Sequence, residues 1–317
     1  MSKVIDLYLD LPATEEYLVG SLSWYCLGEG AQSYQGYKYT FGEKLARSIG
    51  LSMNELDRLL EEEGKDRFIK AIRTAAKAHV TPLESFIDHL DKINVAWGIT
   101  STHDHNNEKT AELVARYQEK LLGFAYLDPK EPMKAVRDLE YAVRELKLSA
   151  AYLTAFRTGV AANDPRCYPL YAKCVELGIP MFIYACMNLS AGLPMDIGHP
   201  KYIDQVARDF PELKIMATVG GWPWVPEMVG VVRRHPNVYL NAEVHEPVNL
   251  GIPGSGFETL MHYGKTALQD RFCFASNWQL QCTPLEDLIQ QMKELPLPDA
   301  VLEKWLYTNA ARFFGRH

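Results

Sequence analysis

The stretch DPRCYPLYAKCVELGIPMFIYACM, residues 164–187, shows one repeat of the pattern that decides the fold. Its first part predicts a helix over about 165–177, because Pro165 is favoured in a first helical turn and Gly178 is favoured just after a helix. Its last nine residues are almost continuously apolar, which is typical of a strand covered on both faces. The stretch therefore predicts a helix that leads directly into a buried strand.

The same alternation recurs along the whole chain. The apolar runs that predict strands are residues 4–11, 94–102, 121–128, 148–156, 179–187, 213–220, 238–244 and 271–278. Further helical patterns lie near 107–119, 132–147, 200–210, 226–235, 284–294 and 299–314. Strand and helix that alternate eight times indicate parallel βαβ units, and eight such units close most simply as a (β/α)8 barrel. We expect an α/β TIM barrel that forms one domain over residues 1–317.

One segment interrupts this alternation of strands and helices. Residues 13–93 separate the first two strands, and they include the aromatic, glycine-rich stretch SWYCLGEGAQSYQGYKY and helical patterns near 53–63 and 66–78. An insertion after the first strand of a barrel lies over the carboxyl-terminal mouth. We therefore expect a lid or a dimer surface, with a purely structural excursion as the alternative.

Composition excludes several classes of partner. The chain has 317 residues, a net charge of −7 and no cluster of Lys and Arg, which argues against nucleic acid or an anionic membrane as a partner. No apolar run approaches the roughly 20 residues of a membrane span, and the start of the chain does not resemble an export signal. The six cysteines are scattered without metal-binding spacing. We expect reduced thiols in a cytoplasmic protein.

Polar and aromatic residues collect at the predicted strand ends, where the active sites of such barrels are built. Tyr8 and Asp10 are two residues apart in the first run, so the period of a strand places them on one face. The carboxyl ends of the other seven predicted strands carry further candidates. In chain order these are Thr102, His103, Asp104 and His105 at the second strand, Asp128 at the third, Thr154, Phe156 and Arg157 at the fourth, Tyr184 and Cys186 at the fifth, Thr218 and Trp222 at the sixth, Glu243, His245 and Glu246 at the seventh, and Asn277 and Trp278 at the eighth. The sequence predicts a polar, aromatic mouth.

The order of VIDLYLDLP, LLGFAYLDP, FPELKIMATVGGWPWVPEM, HPNVYLNAEV, RFCFASNW and TNAARFFG along the chain resembles the amidohydrolase-related family. The similar branch contains the aminocarboxymuconate-semialdehyde and resorcylate-type decarboxylases. The resemblance implies a (β/α)8 barrel, a divalent metal at its mouth and a homodimer.

The metal ligands that the resemblance implies are replaced. Tyr8 and Asp10 stand at the two histidines of a His-x-His motif. Tyr184 and Thr218 stand at two further histidines, and Asn277 stands at an aspartate. Of these five side chains only Asp10 is a good metal donor, and one carboxylate does not hold an ion alone. We therefore expect neither a metal nor another cofactor.

Three hypotheses explain this replacement. The first is a metal-free enzyme that kept the pocket. The second is a displaced metal held through His103, Asp104 and His105. The third is a pocket that binds a ligand without catalysis, or a subunit that serves only a partner. We favour the enzyme, because the mouth still carries histidines, carboxylates and phenols that can transfer protons and stabilise an oxyanion. A nucleophilic Cys186 is a further possibility that requires a lowered thiol pKa.

The expected roles divide into two groups. The catalytic candidates are His103, His105, Tyr184, Glu243 and His245. The substrate-binding candidates are Tyr8, Asp10, Arg157, Thr218, Trp222, Asn277 and Trp278, with Arg157 as the clamp for a carboxylate. Each of these residues also has a structural alternative, such as packing, capping or a surface ion pair.

The predicted activity is that of a metal-independent lyase or hydrolase. Its substrate is a small unsaturated or aromatic carboxylic acid, and the reaction is decarboxylation or C–C cleavage by proton transfer and oxyanion stabilisation. A metal-free lactone hydrolase or isomerase and a non-catalytic binding protein are the alternatives. We expect the chain to form a homodimer.

Overall fold

The computed structural model describes residues 3–27 and 35–316, and a parallel sheet organises them. Seven strands follow one another in chain order, each paired in parallel with the next. They are β1 Val4–Asp6, β2 Val95–Thr100, β3 Leu121–Tyr126, β4 Ala150–Leu153, β5 Met181–Tyr184, β6 Ile215–Thr218 and β7 Val238–Leu240. Each strand lies within a predicted apolar run, because buried parallel strands are apolar on both faces.

The eighth predicted run, 271–278, closes the barrel without forming a regular strand. On one side, the N–H of Leu240 in β7 donates to the Arg271 carbonyl at 2.9 Å. On the other side, the N–H of Leu7, just after β1, donates to the Phe274 carbonyl at 3.0 Å. The run therefore joins β7 to β1, and the prediction of an α/β TIM barrel is confirmed.

Helices follow the strands as predicted. The longer ones are Leu83–Lys92, Asn107–Arg116, Pro132–Arg144, Tyr168–Leu177, Pro200–Asp209, Val225–Arg234 and Leu285–Lys293. Short helices are Ala155–Thr158, Pro247–Leu250, Glu258–Gly264 and Trp278–Gln281, and 3-10 turns span Pro165–Cys167 and Val219–Gly221. The last predicted helix comprises Asp299–Glu303, a π-helical turn Lys304–Thr308 and Asn309–Phe314. Within the described ranges, no helix has both the length and the apolar character that a membrane crossing requires.

Aromatic side chains fill the barrel interior. Phe124 of β3 and Phe182 of β5 are fully buried, with their ring centroids 4.9 Å apart. Phe313 of the last helix packs below them, 6.1 Å from Phe182 and 4.8 Å from Tyr239. Because the barrel is filled at this end, a cavity within it opens at the carboxyl ends of the strands.

The insertion forms a small helical unit with its own apolar cluster. Its helices are Glu15–Cys26, Gln35–Tyr37, Glu43–Ser48 and Met53–Ala76, with a π-helical turn Lys38–Gly42. Gly64, with a φ of +81°, breaks the longest helix where the sequence predicts two helices. Part of the predicted aromatic stretch 23–39 lies outside the described residues. The buried side chains of the cluster include Leu22, Leu45, Leu56, Phe68 and Ile72.

Candidate active site

A cavity of about 280 Å³ opens at the carboxyl ends of the strands. Its wall is mostly aromatic, with tyrosines from the barrel and further rings from the insertion. The barrel contributes Tyr8, Tyr126, Tyr152, Phe156, Tyr184 and Trp222, and the insertion contributes Tyr17, Tyr37 and Phe41. A cavity of this size and composition suits a small ligand with an apolar or aromatic body.

The end of β1 turns towards this cavity. The strand stops at Asp6 and not at residue 11 as predicted, because residues 7 and 8 form a turn. The buried Asp6 carboxylate accepts the N–H of Tyr8 at 3.0 Å and the N–H of Ser276 at 2.9 Å through the same oxygen. This local bond bends the chain. Tyr8 and Asp10 both line the cavity, although the strand that was expected to aim them is shorter.

Three phenols form the floor. The hydroxyls of Tyr8 and Tyr126 are 2.9 Å apart, and the Tyr152 ring centroid lies 5.9 Å from that of Tyr8 and 5.2 Å from that of Tyr126. Sequence reasoning missed Tyr126 and Tyr152. Each stands two residues before a predicted strand-end residue, Asp128 or Thr154, so the two-residue period of a strand is the signal that identifies them.

Glu243 is the buried acid of this floor. Its Oε1 accepts the Tyr152 hydroxyl at 2.7 Å, and that hydroxyl is also 3.1 Å from the Thr218 Oγ1. Its Oε2 has no hydrogen-bond partner among the described residues. Burial, with a smaller contribution from the charge of Asp10, raises the pKa of the Glu243 carboxyl to about 8. At neutral pH Glu243 is therefore mainly a neutral carboxylic acid beside the cavity.

Asp10 is a second carboxyl group with a shifted pKa. Burial raises its pKa to about 7, against the opposing effect of the Gln279 N–H, which donates to the Asp10 Oδ2 at 3.0 Å. Asp10 and Glu243 therefore both titrate close to neutral pH, which is typical of groups that exchange protons with a ligand.

The three predicted catalytic histidines all line the cavity. The His103 ring stacks on Tyr17 at 4.0 Å, and the His105 ring stacks on Tyr126 at the same centroid distance. Burial lowers the pKa of all three imidazoles, to about 3 for His105, where the Arg157 charge adds to the effect, and to about 4 for His245. They are therefore neutral at physiological pH, and a carboxyl group is the better acid.

His103 and His105 each have a hydrogen-bond partner for a ring nitrogen. The His103 Nε2 is 3.0 Å from the Pro12 carbonyl oxygen, and the His105 Nδ1 is 3.1 Å from the Ser101 hydroxyl. The His245 Nε2 has no partner in the described part of the chain. These contacts orient His103 and His105 as walls of the cavity.

Three predictions for individual side chains need correction, and the possibility of a nucleophilic Cys186 is not supported. The Tyr184 hydroxyl donates to the Met187 carbonyl at 2.7 Å, so its proton is already engaged. Trp278 does not line the cavity, because its ring packs on Phe86 at 5.4 Å. Thr218 is fully buried behind the Tyr152 hydroxyl and supports the floor without forming its surface. Burial raises the pKa of the Cys186 thiol to about 12, which argues against a nucleophilic thiolate.

Among the described residues, the displaced metal site of the second hypothesis is not assembled. Asp104 lies at the surface, where its carboxylate pairs with Lys109 at 2.5 Å and accepts the Thr102 hydroxyl at 2.8 Å. His103 and His105 point into the cavity instead. Of the three HDH residues, Asp104 therefore forms a surface ion pair, and the two histidines form part of the cavity wall.

Arg157 is the cation at the cavity rim. Its guanidinium carbon lies 5.5 Å from the centroid of the Phe156 ring, and no described carboxylate forms an ion pair with it. Trp222 and Asn277 also line the cavity, with the Trp222 Nε1 donating to the Ser255 carbonyl at 3.2 Å. The rim therefore offers one positive charge that faces an otherwise aromatic cavity.

The sequence profile described as amidohydrolase matches residues 73–316, which is most of the chain. The chain belongs to the amidohydrolase family. The match covers β2 to the last helix and therefore includes every cavity-lining strand end after the first.

Solved structures share the amidohydrolase barrel of this chain. An uncharacterised TIM-barrel protein from Bordetella bronchiseptica is 22% identical, with a TM-score of 0.69 over 99% of this chain and 100% of that chain. 5-Carboxyvanillate decarboxylase LigW from Sphingomonas paucimobilis is 15% identical, with a TM-score of 0.65 and complete coverage of both chains. A dihydroxybenzoic acid decarboxylase from Polaromonas, solved with bound manganese and 2-nitroresorcinol, is 16% identical, with a TM-score of 0.63 over 99% of this chain and 97% of that chain. At these identities the matches establish a common fold.

The residues of this amidohydrolase do not fit the divalent metal that the resemblance implies. Within residues 3–27 and 35–316, no three His, Cys, Asp or Glu side chains lie together as an ion would require. Tyr184 and Thr218, at two of the implied ligand positions, are hydrogen-bonded elsewhere. Hydroxyl and amide groups are also poor substitutes for imidazole and carboxylate.

Proposed function

We propose that this chain is a metal-independent decarboxylase of a small aromatic or otherwise unsaturated carboxylic acid. The observation that carries the proposal is Glu243, a buried carboxyl group with a pKa raised to about 8 at the floor of the cavity. Loss of CO2 leaves a carbon atom that must gain a proton, and a neutral carboxylic acid can supply it at physiological pH. The decarboxylases among the structures with this fold support the proposal.

Each step uses residues that line the cavity. Arg157 at the rim binds the substrate carboxylate. Because the Tyr8 and Tyr126 hydroxyls are hydrogen-bonded to each other, one of them donates to the other, and the second donates to an oxygen of the substrate that gains negative charge. The C–C bond to the carboxylate breaks, its electron pair enters the conjugated system, and CO2 leaves. The carbon that loses CO2 takes a proton from Glu243, which regains one from water. In the net reaction, one carboxylate group and one proton are converted into one C–H bond and one molecule of CO2.

The insertion completes the cavity in this proposal. Tyr37 and Phe41 form part of its wall, and Lys44 pairs with Glu246 at 2.8 Å, which links the insertion to the loop after β7. These rings restrict the space to a ligand of about one ring and keep water away from the reacting carbon. The insertion therefore acts as a lid that selects ligands by size.

Lactone hydrolysis is the second candidate function, and Asp10 favours it. A carboxyl group with a pKa of about 7 is partly ionised at neutral pH, so it can activate a water molecule for attack on a lactone carbonyl. The two functions differ in product, because decarboxylation releases CO2 and hydrolysis yields a hydroxy acid.

Metal removal tests the central claim. After dialysis against a strong chelator, we expect the purified chain to contain well under one divalent ion and to release CO2 from a panel of monocyclic hydroxy acids and enone acids. The rate should stay within about twofold of that of undialysed protein. Carboxyl-labelled substrates, with elemental analysis of the same sample, provide the measurement. Loss of activity that manganese or zinc restores would show that a metal is required, and unchanged recovery of a bound acid would favour the binding protein.

Arg157→Met tests the carboxylate clamp. We expect KM for the acid to rise by about 10–100-fold with a smaller change in kcat, because a charge-assisted hydrogen bond contributes roughly 1.5–3 kcal/mol. Steady-state kinetics on folded protein measure both constants. Arg166→Met is the matched control, since Arg166 pairs with Asp164 outside the cavity at 2.8 Å. Equal KM values in the parent and the Arg157 variant would exclude this role.

A further inference from the structure

Asn241 connects the two loops that carry the acid and the wall of the cavity. It follows β7 directly and is fully buried. Its Oδ1 accepts the backbone N–H groups of Val219 and Glu243, each at 3.3 Å. Its own N–H donates to the Ala217 carbonyl at 3.0 Å, and its carbonyl accepts the Gly220 N–H at 2.8 Å. One residue therefore holds the ends of β6 and β7 together through both its side chain and its backbone.

The backbone on both sides of this connection is strained. Val219 has a φ of +66° and Val244 has a φ of +74°. The left-handed region is unfavourable for a β-branched residue, and each such conformation costs about 1–3 kcal/mol unless its surroundings enforce it. Asn241 bonds the N–H of Val219 itself and the N–H of the residue just before Val244. The amide oxygen is therefore placed to maintain both turns.

These turns decide where the reactive side chains lie. Val219, Glu243, Val244 and His245 all line the cavity, whereas Asn241 does not. A relaxed backbone at Val244 would redirect Glu243 away from Tyr152, whose hydroxyl it accepts at 2.7 Å. The Asn241 Nδ2 has no partner among the described residues. The side chain thus serves as an acceptor, at the cost of an unpaired buried donor.

We propose that Asn241 is a positioning residue that holds Glu243 in its buried place at the cavity floor. It acts through the two backbone N–H groups and does not touch the substrate. The expected effect of Asn241 on turnover rests on the proposed function. The effect of Asn241 on the environment of Glu243 can be measured without any substrate.

The main test compares Asn241→Ala with Asn241→Asp. Alanine removes the acceptor, so we expect kcat to fall at least about tenfold with KM within about twofold. Aspartate keeps an acceptor oxygen in place and should restore kcat to within about threefold of the parent. Asn237→Ala is the matched control, because Asn237 joins backbone groups at the opposite end of β7 by donating to the Phe210 and Leu213 carbonyls. The control should lose stability but keep its kcat.

A second readout follows the carboxyl group itself. The infrared band of the protonated Glu243 carboxyl, identified by its disappearance in Glu243→Gln, reports its titration in the free protein. In Asn241→Ala we expect this titration to move at least about one unit towards the value of an exposed carboxyl, because the released loop lets water reach it. Should the alanine variant not fold, Asn241→Ser, whose shorter hydroxyl cannot reach both N–H groups, gives the same comparison.

The outcomes separate the two proposals. An unchanged titration together with an unchanged kcat in Asn241→Ala would overturn the positioning role. If the titration moves but Glu243→Gln retains full turnover, the positioning role holds and the proposed function fails. If aspartate does not restore what alanine loses, the acceptor oxygen is not the group responsible and the inference is wrong.

Discussion

Glu243→Gln is expected to lower kcat for CO2 release by about 10²–10⁴-fold, the usual contribution of a positioned general acid. KM should change by less than about threefold, because Arg157 and the aromatic wall still bind the acid. Glutamine keeps an oxygen that can accept the Tyr152 hydroxyl, so the variant removes the proton and preserves that contact. Steady-state CO2 release by parent and variant at pH 6.5 measures the difference.

The pH profile of the parent gives an independent check on the same acid. The reactive form of Glu243 is the protonated one, so kcat should be constant well below its pKa of about 8 and fall as pH rises through that value. Glu212→Gln is the control, since Glu212 is exposed and does not line the cavity. A rate that rises with pH across this range, or a glutamine variant with most of the parent activity, would refute the assignment of Glu243 as the acid.

The stability of the folded chain is expected to depend strongly on pH. Burial raises the pKa of Asp6 to about 6, that of Asp10 to about 7 and that of Glu243 to about 8. A carboxyl group with a raised pKa binds its proton more tightly in the folded than in the unfolded chain. Its stabilising contribution is complete below the unfolded pKa near 4 and is lost as pH rises through the folded pKa. The parent should therefore lose stability between about pH 4 and pH 8.

Glu243→Gln isolates one part of this loss. Because the amide does not ionise, the difference in unfolding free energy between parent and variant should change by on the order of 4 kcal/mol from pH 4.5 to pH 9, in favour of the variant at high pH. Urea unfolding at several pH values measures it, and only the slope with pH is compared, since the amide also changes local hydrogen bonds. Glu212→Gln at the surface is the control. Parallel curves for parent and Glu243→Gln would show that Glu243 is already ionised in the folded chain.

Much of the architecture follows from local patterns. Gly178 ends the helix Tyr168–Leu177 with a φ of +68°, and Gly64 breaks the helix Met53–Ala76, as the sequence predicts. These helix ends depend on the conformational freedom of a single glycine, so the local sequence is sufficient to predict them. The barrel follows in the same way, because repeated buried strands and helices leave few arrangements in which all apolar faces are covered.

The identity of several site residues also follows from their place at strand ends. Tyr8, Asp10, Arg157, Glu243 and the three histidines were predicted at the mouth, and the structure places all of them there. Position along a strand is a local property, and the carboxyl ends of parallel strands must meet at one edge of a barrel. Trp278 is an exception: it ends the eighth apolar run, which forms no regular strand, and it does not line the cavity, whereas Trp222 after β6 does.

The chemistry of these residues was decided by the tertiary structure alone. Tyr152 and Glu243 are 91 residues apart, and their contact is what builds the acid into the floor. The Tyr184 hydroxyl donates its proton to the Met187 carbonyl, and Asp104 forms an ion pair with Lys109 at the surface. A pKa shift depends on how much water the whole fold excludes from a group, which no short pattern contains. The sequence alone therefore determined the barrel and most of its mouth, whereas long-range packing and desolvation decided which of those side chains can move a proton.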